Sequence, residues 1–140
     1  MKPYTILIRK RLDAYTLTEI LVVLVIIGIL VLLALPNLLP LITKAKSTEA
    51  KVQLEHIQTL EKNYFFEHSK YSKDLAEIGF VQEKLSTEAN GRANYRIEIT
   101  DASITGFTAK ATAVVDFNGN GTFNVWSVDQ DKNIKEVIPD

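Results

Sequence analysis

No cysteine occurs among the 140 residues. A disulfide, a zinc–thiolate centre and a cysteine nucleophile are therefore all excluded. Tryptophan and methionine occur once each, and no repeat or low-complexity tract interrupts the chain. Neither sign of charge dominates, since the formal net charge is −1. Lys and Arg do not gather into the basic footprint that binding to nucleic acid requires, so no nucleic-acid partner is expected. The two histidines, His56 and His68, have no partner pattern, and the carboxylates form no paired motif. Catalysis would need convergent nucleophile, base or metal-ligating groups, so no catalytic residues and no enzymatic activity are expected. The length suits one modest domain.

The sharpest absence is local. From Ile20 to Leu35 no side chain is charged or strongly polar. This run continues past Pro36-Asn37 into Leu38, Leu39, Pro40, Leu41 and Ile42. With Tyr15 to Glu19 in front it is long enough to cross about 30 Å of hydrocarbon as a helix. Lys2, Arg9, Lys10 and Arg11 precede it against Asp13 alone, which holds that end in the cytoplasm. An ordinary secretory signal would have a shorter apolar core and a small-x-small site after it, whereas Leu33-Ala34-Leu35-Pro36 stands there. A plain signal anchor accounts for the hydrophobicity and for little else.

A third reading accounts for more residues. Ala14-Tyr15-Thr16-Leu17-Thr18-Glu19, followed by the apolar run, resembles the class III leader of prepilins, the precursors of type IV pilins and pseudopilins. The resemblance implies that a prepilin peptidase cuts between Ala14 and Tyr15 and N-methylates Tyr15. It makes Glu19 the fifth residue of the mature chain, and it matches Gly28 and Pro36 to a Gly and a Pro found further along in the family. An unpaired carboxylate in an apolar helix costs on the order of 2–3 kcal/mol, so Glu19 is expected either to act in assembly, neutralising the terminal amine of a neighbouring subunit, or to snorkel to the interface. Pro36 removes a helical hydrogen bond and is expected to kink the helix, or else to end it after Leu35. Gly28 lowers helix propensity nearby.

Beyond Thr43 the charges are mixed, and Ala50, Leu54, Ile57, Leu60 and Tyr64 recur at three- and four-residue steps. This predicts an amphipathic helix with one stripe packed on a sheet. Tyr64-Phe65-Phe66 is expected in the core. The segment from Tyr71 to Phe80 reads as a turn, a short helical segment and a stop at Gly79, and Asn90-Gly91 as a turn. Alternation then predicts strands at Tyr95–Ile99, Thr105–Val115, Phe123–Val128 and Ile134–Ile138, with Phe107, Ala109, Ala111, Ala113 and Val115 on one face. The expected fold class is α+β: a long kinked N-terminal helix packed on a small antiparallel sheet of about four strands.

Asp116-Phe117-Asn118-Gly119-Asn120-Gly121-Thr122 matches the front of the calcium-loop pattern, with oxygen-bearing side chains at alternate positions and a glycine for the sharp turn. The back fails, because the twelfth position is Ser127 and a strand follows instead of a helix. The segment is therefore either a weak calcium site using Asp116, Asn118, Asn120, Thr122, Asn124 and Asp129, or a plain Asn/Gly hairpin. The stretch from Asn124 to Gln130 is similar to the C-terminal region of type II secretion major pseudopilins, many of which bind calcium there.

The organisation implied is a leader (1–14), a transmembrane half-helix that also forms a filament core (15–42) and a soluble pilin-like domain (43–140). The function implied is that of a structural subunit of a self-polymerising filament, stored in the bacterial inner membrane with its C-terminal domain in the periplasm. An inner-membrane assembly platform and minor pilins or pseudopilins would be its partners. Missing cysteines and the Asn/Gly loop favour a type II secretion pseudopilus. The alternative is a type IV pilus subunit for adhesion, motility or DNA uptake, and a third possibility is a membrane-anchored binding module that does not polymerise.

Overall fold

The computed structural model describes residues 14–140, so the basic residues of the leader lie outside the described part. A single helix, α1, runs from Leu17 to His68. Four strands follow: β1 (Tyr95–Ala102), β2 (Phe107–Ala113), β3 (Val125–Asp129) and β4 (Lys135–Ile138). They form one antiparallel sheet in the order β1-β2-β3-β4, the meander that the alternating sequence calls for. This is the α+β, pilin-like arrangement expected. Two compact units divide between Pro36 and Asn37, six residues before the boundary drawn from the sequence.

In the unit from Asn37 onward, the core lies where the two periodicities meet. Ala50, Leu54 and Ile57 of α1 are fully buried, and Leu60 and Tyr64 pack against the same cluster. The sheet contributes Tyr95, Ile97 and Ile99 from β1, Phe107, Ala109, Ala111 and Ala113 from β2, and Val128 from β3. The three alanines give β2 a low surface on the side that shares the core with the α1 stripe. The phenolic ring of Tyr71 stacks on Phe65 at 4.8 Å and tilts against Phe107 at 5.2 Å, closing the core where the chain leaves the helix.

Three expectations need correction. Phe66 is 73% exposed, because three consecutive helical residues span about 200° and cannot all face one side. Strand β2 is shorter than Thr105–Val115: Thr105 lies in a turn tied by the Ser103 hydroxyl, and Val115 is exposed beyond the last paired residue. The short helical segment before Gly79 is a series of turns. There Asp74 accepts the Ala76 amide (2.9 Å), and the Phe80 amide reaches the Leu75 carbonyl across Gly79, whose φ is +79°. The Asn90-Gly91 turn forms as expected. A Cβ at Gly91 would stand 1.7 Å from the Leu85 carbonyl oxygen, so only glycine fits.

Side chains bind the loops to the helix and to the sheet edge. Both oxygens of Glu49 hold Asn94, through its amide N–H (2.7 Å) and its side-chain NH₂ (2.6 Å), which fixes the start of β1 against α1. Gln82 acts as a substitute strand on the open edge of β1, accepting from the Ile97 amide (2.9 Å) and donating to the Tyr95 carbonyl (3.2 Å). At the chain end, Asp140 accepts from the Thr43 hydroxyl (2.9 Å) and the Phe117 amide (3.3 Å).

Candidate functional site

The segment that carries the processing and assembly expectations begins at an exposed Ala14 and Tyr15 and enters α1 at Leu17. Its local geometry is a reciprocal cap. The Glu19 carboxylate accepts from the Thr16 amide (2.7 Å) and the Thr16 hydroxyl (2.8 Å), while the Glu19 amide donates to the Thr16 hydroxyl oxygen (3.2 Å). Two of the unpaired N–H groups at the helix start are satisfied in this way, and an anion sits on the positive end of the helix. Sequence reasoning named Glu19 but missed Thr16. The signal was present as Thr-x-x-Glu immediately before an apolar run.

The apolar side chains that follow, from Ile20 through Leu35, are exposed in the single chain. The helix is long and apolar enough to cross a membrane. Gly28 has open space where a Cβ would stand, so nothing among the described residues requires a glycine there. Helical structure is unbroken through Pro36 and Pro40, so the helix does not end after Leu35.

The six proposed calcium ligands divide among three hydrogen-bonding systems. In the first, Asp116 accepts the Gly119 amide (2.7 Å) and the Gly121 amide (2.6 Å), Asn118 accepts the Asn120 amide (2.9 Å), and Asn120 accepts the Thr122 amide (2.6 Å). The Gly121 amide above all holds the Asp116 carboxyl below its ordinary range, against a smaller opposing effect of desolvation. Gly119 and Gly121 take positive φ, as the loop requires. In the second system, Asn124 is fully buried between strands. It accepts from the Tyr95 hydroxyl (2.8 Å) and the Trp126 indole N–H (2.7 Å), and donates to Glu136 (2.6 Å) and the Ile138 carbonyl (3.0 Å). In the third, Asp129 accepts from the amides of Asp131 and Asn133 (both 3.0 Å) and from the Asn133 side chain (2.9 Å). Partial desolvation works against ionisation of Asp129, and these bonds outweigh it, so its carboxyl is also lowered. No group of three or more His, Asp or Glu side chains able to hold a metal occurs among the described residues.

The buried Asn124 network also accounts for Trp126, whose ring lies under the Lys51 ammonium of α1 at 4.3 Å. Burial is the main reason the Tyr95 hydroxyl is pushed far above its ordinary value, with Glu49, Asp140 and Glu136 adding to the effect. Tyr95 therefore stays a neutral donor.

An exposed membrane-length helix with a Thr/Glu cap, leading into an amphipathic stripe seated on a four-stranded meander, defines the class of pilin-like proteins. Two family models match the chain. The prokaryotic N-terminal methylation motif covers residues 9–35, and the model described as type IV minor pilin ComP, DNA uptake sequence receptor, covers residues 39–123. The chain belongs to the type IV pilin family, whose members are structural subunits rather than enzymes. It is 37% identical over 87 residues to the type IV major pilin protein PilA of Myxococcus xanthus (strain DK1622), a match covering 62% of this chain and 37% of that protein. It is 24% identical over 121 residues to the fimbrial protein of Neisseria meningitidis serogroup A / serotype 4A (strain DSM 15465 / Z2491), covering 86% of this chain and 69% of that one.

Proposed function

We propose that the chain is a subunit of a type IV pilus. In this reading a prepilin peptidase removes residues 1–14 and N-methylates Tyr15. Residues 15–42 hold the subunit in the bacterial inner membrane with the C-terminal domain in the periplasm, and an assembly platform with minor pilins stacks the helices into a filament. Removal of apolar helix surface from lipid and water into a shared core drives the stacking, and Glu19 sets the register against the terminal amine of a neighbour. Gly28 and Pro36 are the places where the helix loosens to fit. The observation that carries the reading is the joint match of the methylation motif and the pilin model along one chain. Both curated relatives are named as pilus or fimbrial proteins, which favours a pilus over the secretion pseudopilus that the missing cysteines had suggested.

The test is intact mass and filament recovery from a peptidase-positive cell. The expected mass lacks Met1 to Ala14 and carries one added methyl group. Glu19→Ala should leave the subunit in the membrane and abolish filaments. Retention of the leader, or wild-type filament levels in the variant, would overturn the reading.

The description of the matched model as a DNA uptake sequence receptor favours DNA uptake among the functions a pilus can serve. The whole chain carries −1 and its first fourteen residues +3, so the processed subunit carries −4. DNA contact would therefore depend on local cations and not on the net field.

A further inference from the structure

One surface of the sheet has the chemistry such contact needs. On the face of β1 and β2 turned away from the helix lies a cleft of about 380 Å³, lined by Thr87, Arg96, Thr112, Ala113, Val114 and Phe123. Arg96 is exposed and forms no ion pair or side-chain hydrogen bond among the described residues. Strand register explains why. Glu98, the acid nearest along β1, stands opposite Lys110, whereas Arg96 stands opposite the neutral Thr112. On the flanking loops, Glu88 accepts the Leu85 amide (3.2 Å) and Asp116 accepts amides of its own loop. An unpaired guanidinium, two threonine hydroxyls and a half-exposed aromatic ring at 46% thus share one cleft.

We propose that this cleft binds the sugar–phosphate backbone of DNA, with Arg96 holding a phosphate and Phe123 packed against the neighbouring sugar or base edge. The proposal rests on the DNA-uptake reading above and names its site. Arg is suited to the role because its planar fork pairs two phosphate oxygens at once, and the threonine hydroxyls add neutral donors. A single such cleft on an acidic subunit binds weakly. In a filament the cleft repeats on every subunit, and a long DNA engages many copies, so avidity supplies what one site lacks.

The experiment is a titration of the full chain in detergent with a short fluorescent DNA duplex, read by anisotropy over a range of salt. Arg96→Gln should weaken binding about tenfold, the loss expected for one charge-assisted contact. The dependence of log affinity on log salt should become shallower by about one counterion. Phe123→Ser should also weaken binding, and Lys132→Gln, beyond the opposite end of β3, should not. Circular dichroism checks that each variant is folded, and Arg96→Gln should still yield filaments. If the wild type binds DNA and Arg96→Gln binds equally well, or if Lys132→Gln loses as much, the cleft is not the site. If the wild type binds no DNA, the uptake reading falls and the cleft with it. If the cleft variants lose filaments while DNA affinity is unchanged, the surface takes a protein partner and the proposal is overturned.

Discussion

Glu61 is the most informative residue to perturb in the folded unit. It is fully buried on α1, with one carboxyl oxygen accepting the Ser72 amide at 3.0 Å and the other without any partner. A hydrogen bond to a charged acceptor contributes about 1.5–3 kcal/mol, while an unsatisfied buried polar atom costs about 1–3 kcal/mol. The cost at the unpaired oxygen is itself part of the desolvation penalty, which the single bond offsets only in part. Burial raises the Glu61 carboxyl above its ordinary value, and the Ser72 bond offsets only part of the rise. Tyr64 lies close enough to feel its charge and shares a hydrogen bond with Glu77 at 3.4 Å, and Glu77 also takes the Ser72 hydroxyl. Because the folded chain holds the Glu61 proton more tightly than the unfolded chain does, stability is greatest at pH below the ordinary carboxylate value. It falls as pH climbs towards the raised value and stays reduced above it. Glu61→Gln removes that dependence. The variant should be more stable than wild type near neutral pH and lose the gain in acid. Denaturant melts of the full chain in detergent at a series of pH values measure this, since other titrating groups cancel in the difference. A difference between the two proteins that does not change with pH would refute the reasoning.

Asn124→Ala leaves the Tyr95 hydroxyl and the Trp126 indole without their acceptor, and should cost about 3 kcal/mol in the same melts. Asn124→Asp keeps the acceptor but sets a carboxylate against Glu136, so it should be destabilised at neutral pH and partly recover in acid. The two halves of the Thr16–Glu19 cap separate by charge. Glu19→Gln can still accept from the Thr16 amide, so Gln should lose filaments as fully as Ala if the charge sets the register, and restore them if the cap alone matters. Thr16→Val removes the capping oxygen at a cost of about 1 kcal/mol, visible as faster amide exchange in the first turn. The loop amides stabilise the Asp116 anion, so this contribution holds above the ordinary carboxylate value and disappears as pH falls through the lowered one. Titration of the Asp116 carboxyl by NMR should give a value below that of a free aspartate, and a value at or above it would mean that the loop is open.

Which parts of the fold were legible in the sequence follows from the range of the forces involved. The helix stripe Ala50, Leu54, Ile57, Leu60 and Tyr64 and the alternation through Phe107, Ala109, Ala111 and Ala113 report burial directly, because each residue's neighbours in sequence are also its neighbours on the face. Phe66 is as hydrophobic as its neighbours but lies about 200° round the helix from Tyr64, so hydrophobicity alone does not report its exposure. Thr16 is legible in the Thr-x-x-Glu spacing, because the hydroxyl and the carboxylate of such a cap lie one helical turn apart. Glu61 was not readable: it looks like one more charge on a solvated helix, and only the return of the chain at Ser72 buries it.

The oxygen-rich segment from Asp116 to Asp129 shows the same limit from the other side. Alternating Asp and Asn side chains have the composition of a cation loop, but composition does not say whether their oxygens turn towards a common centre or towards their own backbone amides. Here Asn124 immediately precedes β3 and turns inward, where Tyr95 and Trp126 occupy its oxygen, and Asp129 at the end of β3 anchors a separate turn. Asp116 is bound in the same way by Gly119 and Gly121, and that has a consequence beyond the loop. Turned into its own amides, the one acid of this loop is held within the loop and does not line the cleft that Arg96 and Phe123 share. The geometry that disperses the proposed calcium ligands thus keeps the loop's one carboxylate out of the lining of that cleft.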